Sequence, residues 1–214
     1  MTLSARAKKL VSALSKEPKL GDIKKLGKEI KRDHTLALEL WKQGDLNSRL
    51  LASLIFDKKQ ISMDDIADFA SDMLSLSEEK RNQLSDWLLA NQLTKDKKLV
   101  TLMESWQENP SPVLRRWFWY HQARLRWMGR TPPPTNSAEL LKAIENGIAK
   151  EVPEVQWAMN FCACQIGVFE KKLRPKCIKL GMKLGLYKDD VVAKNCTPSY
   201  LPEFIRIEVA KRKK

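Results

Sequence analysis

The sequence predicts an all-α fold built from repeated helical hairpins. One short phrase occurs three times: a helix that ends in Trp or Ala, a polar or proline turn, and a second helix entered by a basic or amide side chain. Composition agrees, because 43% of the 214 residues are hydrophobic and only 8 are glycine, too few for the turns of many short strands. The spacing of the phrases is near the period of stacked helical hairpins, a class that usually presents a curved binding face.

The repeated phrase places Arg49, Arg115 and Gln156 at one equivalent position. A weaker fourth copy, SLSEEKRNQLSDWLL, places Arg81 there. The three clear copies are LALELWKQGDLNSRLLASL at 36–54, LMESWQENPSPVLRRWFWYHQ at 102–122 and ENGIAKEVPEVQWAMNFCACQIG at 145–167.

Apolar periodicity and start signals predict the helices of the first half. The first two are amphipathic, and the turn at Gly44 and Asp45 separates the next two, with Asp45 as an N-cap. A capping-box spacing at 75–78 predicts the start of the helix that contains Arg81. The predicted helices are 3–16, 23–32, 35–42, 46–56, 62–73 and 81–93.

Proline punctuates the second half. The turn Asn109-Pro110-Ser111-Pro112 closes one hairpin, and the run Thr131-Pro132-Pro133-Pro134 breaks the chain between repeats because proline lacks a backbone donor. A capping-box spacing at 136–139 predicts that a helix starts there. The predicted helices are 98–108, 113–128, 140–149, 155–168 and 175–184, and the segment from Cys196 to the end is predicted to be irregular.

We expect a single domain over residues 1–214. It comprises a basic N-terminal helix within 1–20, the repeats over 21–186 and an irregular, basic C-terminal segment over 187–214. Nothing at the N-terminus resembles a signal peptide, and no run approaches the ~20 apolar residues of a membrane span. These features predict a soluble, cytoplasmic protein that acts as a monomer without a membrane partner.

Cysteine and motif usage argue against metal and cofactor chemistry. Four cysteines lie in the last quarter without paired CxxC spacing or a nearby histidine, which favours reduced, buried thiols. The chain has no glycine-rich phosphate loop, no nucleophile with a histidine partner and no HExxH phrase. We therefore expect no metal and no cofactor.

The positive charge is concentrated in separate elements. The net charge is +13; residues 1–32 carry ten Lys/Arg against three Asp/Glu, and residues 111–130 carry five Arg and no acid. The last nine residues carry five bases and one acid, whereas the region 64–79 is acidic. Basic elements that a fold brings together can neutralise phosphates, so this pattern favours a polyanionic partner over merely solvated helix faces.

Four stretches, in order and in context, resemble the DNA alkylation repair family of alkylpurine DNA glycosylases with HEAT-like repeats. They are GDIKKLGKEIKRDHTLALELWKQGDLNSRLLASLIFD, DWLLANQL, VLRRWFWY and EVQWAMNFCACQIG, and the resemblance runs from about Gly21 to Leu184. It implies a HEAT-like helical-repeat solenoid, an α-α superhelix, whose basic concave surface cradles damaged duplex DNA. It also implies release of cationic N3- or N7-alkylpurines without flipping them into a pocket.

The resemblance implies which positions are catalytic in the family, and at two of them this chain has a different residue type. The family's Trp-x-x-x-Asp phrase matches Trp87 and Asn91, so the four-residue spacing survives and the acid does not. An amide has no formal charge with which to stabilise an oxocarbenium ion or activate water. A second aromatic position of the family matches Phe161, with Trp157 one turn earlier; both could instead be core aromatics of the repeats.

The helix that starts near Val113 combines arginines with aromatic side chains, a composition suited to stacking and to bidentate phosphate contacts. Successive positions rotate by ~100°, so these side chains cannot all share one face. We expect phosphate contact from one of Arg115 and Arg116 and a tie between repeats from another arginine. The candidate nucleic-acid-binding residues are Arg115, Arg116, Arg124, Arg126 and Trp157, with Arg130 in the same group.

These observations predict a DNA-binding protein of the alkylation repair type, with weak, altered or absent N-glycosylase activity. It would be cytoplasmic, and nucleoid-associated when bound to DNA. The alternative is a non-enzymatic HEAT-like scaffold for a protein or RNA partner. An arginine- and lysine-lined groove would favour DNA, and an apolar stripe with a polar rim would favour a peptide.

Overall fold

The computed structural model describes residues 3–16, 18–128 and 135–212. All regular elements in these ranges are helical, which confirms the predicted all-α class. The predicted break at 131–134, and Arg130, lie outside the described residues. Contacts divide the chain into two compact units, Met1–Ser105 and Trp106–Lys214. The single domain over 1–214 stays a prediction.

The first unit is organised around α4. This helix packs against α2, α3 and α6, and it buries almost every side chain along its length. Beside it, the Trp41 and Phe69 rings lie 4.4 Å apart and those of Phe56 and Phe69 5.0 Å apart. Its helices are α1 (Ala5–Leu14), α2 (Leu20–Ile30), α3 (His34–Trp41), α4 (Leu46–Ile55), α5 (Met63–Met73), α6 (Glu78–Asn91) and α7 (Lys97–Glu104), with a short 3₁₀ turn at Leu93–Lys95.

The second unit is organised around α10. This helix packs most extensively against α8 and also contacts α9, α11 and α12, so it is apolar around most of its circumference. Full burial of each large apolar side chain contributes about 1.5–3 kcal/mol to folding. The helices are α8 (Pro112–Trp127), α9 (Ser137–Gly147), α10 (Pro153–Phe169), α11 (Arg174–Leu184) and α12 (Leu201–Lys211), with a 3₁₀ turn at Ile148–Lys150 after α9.

The predicted irregular C-terminal segment is wrong for residues 201–211, which form α12. Pro202 stands in the first turn of the helix, where a missing N–H costs nothing. Leu201 and Ile205 are buried one turn apart, and Gly181 of α11 lets α12 approach closely. A Cβ at Gly181 would lie 2.6 Å from Pro202 Cδ and 2.8 Å from Leu201 Cβ. Pro202 therefore stands at the start of a docked helix and does not break the chain there.

Helix ends follow the capping signals only in part. Asp45 caps α4 as predicted, because its side chain accepts a hydrogen bond from the Ser48 amide. The N-caps of α6 and α9 are Ser77 and Asn136, and neither side chain makes a capping hydrogen bond. Helix α6 starts at Glu78, three residues ahead of the predicted start at Arg81. None of the helices in the described ranges combines the length and apolar character needed to cross a bilayer.

Candidate nucleic-acid interface

Helix α6 holds Trp87 and Asn91 on one half-buried face, one turn apart. The indole Nε1 of Trp87 donates a hydrogen bond of 3.1 Å to the Leu50 carbonyl in α4, and this bond fixes the orientation of the ring. The Asn91 Nδ2 donates a hydrogen bond of 2.8 Å to the Trp87 carbonyl. The spacing of the two residues therefore gives a rigid pair, with the Asn91 Oδ1 left as a neutral acceptor.

An exposed lysine lies over the face of this indole. The Nζ atom of Lys24, in α2, is 5.1 Å from the centroid of the Trp87 ring, within the range of a cation–π contact. Lys24 is not among the residues predicted from the sequence, because the contact joins α2 to α6 across more than sixty positions. The Trp87 face thus combines an aromatic surface, a neutral amide and a positive charge.

In the second unit, half-buried aromatic rings form a cluster that we call the Phe161 cluster: Tyr120, Trp157, Phe161 and Phe204. Phe161 stacks on Trp157 at 5.1 Å with an interplanar angle of 11°, and on Tyr120 at 5.7 Å and 28°. Phe204, from α12, meets Phe161 edge-on at 6.0 Å. The structure therefore brings the two predicted aromatics, Trp157 and Phe161, together and adds Tyr120 and Phe204.

Arg116 is buried against the same cluster. Its guanidinium carbon lies 5.5 Å from the Tyr120 ring and 5.7 Å from the Trp157 ring, and the residue is 3% exposed. Cation–π contacts of a desolvated arginine are among the stronger ones. Arg116 thus supports the aromatic rings from inside the unit.

Arg115 is held by groups of its own unit. Its Nε and Nη2 donate to the two carboxylate oxygens of Glu151 at 2.8 Å each, a bidentate pair. Its Nη1 donates to the carbonyls of Asn109 at 2.7 Å and Pro110 at 3.0 Å. Four of the five guanidinium N–H groups therefore have protein acceptors.

The same structural role recurs at the other equivalent positions of the repeat. Arg49 donates to the carbonyl of Trp41, Arg81 to that of Leu76 and Gln156 to that of Ile148. Each accepting carbonyl lies at or beyond the C-terminal end of the preceding helix, where backbone acceptors have no intrahelical partner. The repeated polar position thus satisfies the turn of its own hairpin.

Comparison with known proteins gives one family match and one structural match. A family model described as DNA alkylation repair enzyme matches residues 17–172. The chain belongs to the DNA alkylation repair family. Among solved structures, it is similar to one described as a new family of proteins related to the HEAT-like repeat DNA glycosylases with affinity for branched DNA structures. That match has 19% identity and a TM-score of 0.71, over 98% of this chain and 89% of the other. No curated protein matches the chain.

This member of the DNA alkylation repair family has the predicted HEAT-like repeat fold. The family model ends at residue 172, so α11 and α12 lie beyond it. Phe204 therefore joins the Phe161 cluster from outside the matched region, and no signal within the family phrases could have identified it.

The remaining predicted arginines differ sharply in burial. The Arg126 side chain is fully buried and bonds to Glu170, Ser137, Asn136 and the Gln122 carbonyl. Arg124 is half-buried, lies 6.0 Å from the Trp127 ring, and makes no hydrogen bond or ion pair within the described ranges. Of the two, Arg124 is the one available to a partner.

Burial keeps the thiols of Cys162 and Cys177 and the imidazole of His121 uncharged at neutral pH. Cys162, Cys164 and Cys177 are buried, and burial raises the pKa values of Cys162 and Cys177 to about 12. Burial and, to a lesser extent, the charge of Arg124 lower the pKa of His121 to about 4, so this imidazole is neutral at pH 7. Across the described residues no three side chains are grouped to hold a metal ion.

Proposed function

We propose that this chain binds DNA as a member of the alkylation repair family and that its N-glycosylase activity on cationic N3- or N7-alkylpurines is weak, altered or absent. The Trp87 face carries the proposal: an aromatic ring, the Lys24 cation 5.1 Å from its centroid, and an amide where the resemblance implies a carboxylate. Such a surface suits a sugar–phosphate strand. It lacks the charge that would stabilise a developing oxocarbenium ion.

The proposed DNA contacts are Lys24, Arg124 and Trp157. Lys24 and Arg124 have no ion pair to a described residue, and Trp157 keeps part of its ring at the surface. Arg115 and Arg126 have guanidinium groups engaged by carboxylates and carbonyls, so we assign them to the integrity of the second unit. Arg116 is assigned to the support of Tyr120 and Trp157.

The structurally similar protein is described as having affinity for branched DNA structures, which supports the inclusion of branched substrates in the test. Labelled duplex, three-way-junction DNA and RNA of equal length are titrated with the protein by fluorescence anisotropy over a range of salt. We expect DNA affinity to fall steeply with salt because phosphate neutralisation releases counterions. Substitutions K24Q and R124A should each lower the slope by roughly one, whereas K98Q, at an exposed lysine of α7, should not.

Undetectable or salt-independent binding to each DNA would overturn the proposal. Preferential binding of RNA would favour the scaffold alternative instead, because the two nucleic acids differ in groove shape and in the 2′-hydroxyl.

A further inference from the structure

A basic cleft lies in the first unit, next to the Trp87–Asn91 pair. It has a volume of about 330 Å³, at the small end of the range for ligand sites. It forms near the C-terminal ends of α2, α4 and α6. Its lining residues are Lys31, Arg32, Leu54, Phe56, Lys58, Asn91, Gln92 and Lys95.

The charge of this cleft is strongly one-sided. Four of its lining side chains are cationic, two are neutral amides and none is a carboxylate. Arg32 has an acidic neighbour, but its Nη1 lies 3.9 Å from Asp57 Oδ1, too far for a direct hydrogen bond. Asp57 instead accepts from the Gln60 side chain and the Lys59 amide. The cleft therefore keeps a surplus of positive charge.

Hydrogen bonding to the free carbonyls at a helix end explains the position of only one of the four cations, Lys58. Lysines are favourable at helix C-termini, where backbone carbonyls lack partners. Lys58 does this for the 3₁₀ turn, because its Nζ donates to the Lys95 carbonyl at 2.6 Å. Within the described ranges, the side chains of Lys31 and Lys95 make no hydrogen bond or ion pair, and both residues are exposed.

The backbone at Lys31 is unusual for a lysine. Its φ is +66°, in the region that favours glycine, and its amide donates to the Gly27 carbonyl at 2.9 Å. A Cβ in this conformation costs free energy, so glycine would serve the helix end better. The chain has a lysine there, and its side chain lines the cleft.

Asn91 completes the chemistry of the cleft. Its Nδ2 is used by the Trp87 carbonyl, and the side chain carries no charge. A carboxylate at this position would repel an anion in the cleft, whereas the amide does not. A lining of cationic side chains and uncharged amides, without a carboxylate, suits the recognition of phosphate.

We propose that this cleft binds a phosphate group and that, in the setting of the proposed function on which this assignment rests, the ligand is a backbone phosphate of bound DNA. Lys31 and Lys95 supply positive charge that no described acid or carbonyl engages, Arg32 supplies a planar donor, and Asn91 adds no negative charge to the lining. The phosphate would then lie beside the Trp87 face.

The test compares two double variants with equal loss of charge. K31Q/K95Q removes two cleft cations, and K8Q/K98Q removes two exposed lysines of the same unit outside the cleft. For duplex DNA, the plot of log affinity against log salt should lose up to about 1.8 of slope in K31Q/K95Q and should change little in K8Q/K98Q. Equal slopes in the two variants, with the wild type still binding DNA, would overturn the cleft and leave the proposed function standing.

A second measurement separates DNA from free phosphate. Inorganic phosphate is titrated into ¹⁵N-labelled protein, and the side-chain amide signal of Asn91 is followed. We expect a saturable shift in the wild type and in K8Q/K98Q, and none in K31Q/K95Q. If the wild type shows this shift but binds no DNA, the cleft binds phosphate as proposed, and the proposal that the protein binds DNA is wrong. No shift in the wild type would overturn the cleft.

Discussion

At the scale of single residues, the polar side chain at each equivalent position of the repeat donates to a carbonyl of its own hairpin turn. Arg49, Arg81, Arg115 and Gln156 recur because each hairpin turn has carbonyls that need a donor. The repeat could be predicted because it is local in sequence. The Lys24 contact with Trp87 and the Phe204 contact with Phe161 could not, because both depend on packing between distant segments.

The chemistry of Asn91 is the sharpest prediction at this scale. In N91D, repulsion from the Trp87 carbonyl, which the amide now contacts at 2.8 Å, should turn the carboxylate away from the helix. Negative charge would then stand where positive charge develops on the sugar. A carboxylate at this position also repels the phosphate in the cleft, so the rate is measured in single turnovers with enough protein to saturate the DNA. Under these conditions we expect release of N7-methylguanine from duplex DNA to be slow in the wild type and to rise by roughly 100-fold in N91D.

The control is the double variant N91D/W87A, which should lose the gain because the aromatic surface is gone. Brisk excision by the wild type, unchanged in N91D, would show that another group does the chemistry. Unchanged slow release in N91D, with DNA binding intact, would favour a purely binding role.

Arg115 and Arg124 form a matched pair of arginines on α8 with opposite expected effects. R115A leaves Glu151 and the carbonyls of Asn109 and Pro110 without their donor, which should cost about 3 kcal/mol, or roughly 6–12 °C in Tm. R124A should change the free energy of unfolding by less than about 0.5 kcal/mol and weaken DNA binding. Thermal melts and DNA titrations of both variants check this; equal melts would contradict the structural role of Arg115.

His121 predicts a pH dependence of stability. Its pKa is about 4 in the folded chain against an ordinary 6.5, so the unfolded chain binds the extra proton between these values. Stability should therefore be full above pH 6.5 and fall as the pH drops from 6.5 toward 4. Thermal melts between pH 7 and 5 should show a smaller loss in H121Q than in the wild type. An identical loss in both proteins would assign the pH dependence to other groups.

At the scale of elements, the helices with strong apolar periodicity were predicted and α12 was not. Helices α4 and α8 have long apolar faces and a defined turn before them, so pattern alone located them. Helix α12 follows a proline-containing stretch and depends on contact with α10 and α11. Its stability therefore comes from packing against glycine positions, a tertiary effect that a local pattern does not show.

Gly181 tests this dependence. In G181A, the new methyl group would lie 2.6 Å from the Pro202 ring and 2.8 Å from Leu201 Cβ, which are rigid parts of α12. We expect overpacking to cost about 1–3 kcal/mol and to increase hydrogen exchange in α12. The control is G21A in α2, where the new Cβ would meet no atom within 4 Å beyond its chain neighbours and its own helix backbone, so alanine should be neutral or slightly stabilising. Equal stability of the two variants would contradict the docking of α12 on Gly181.

At the scale of the whole molecule, the net charge of +13 and the family membership favour the same partner. The charge is uneven, since α5 carries Asp64, Asp65, Asp68 and Asp72. Asp72 accepts a hydrogen bond from the Trp41 indole at 2.9 Å, so part of the acidic charge supports the fold. A polyanion would therefore meet the basic elements selectively and not the surface as a whole.

Binding through phosphates predicts weak sequence specificity. Phosphate contacts fix position on the nucleic acid but carry no base information, and the proposed contacts of Lys24, Arg124 and the cleft lysines are all of this kind. Across duplexes of unrelated sequence and equal length, we expect affinities within about tenfold of one another at one salt concentration. A protein that recognises bases would show a wider range, because each mismatched base pair in its site costs about 1–3 kcal/mol. Competition titrations with unlabelled duplexes measure this ratio. A preference of a thousandfold for one sequence would mean that side chains read base edges, and the phosphate-based account of binding would then be wrong.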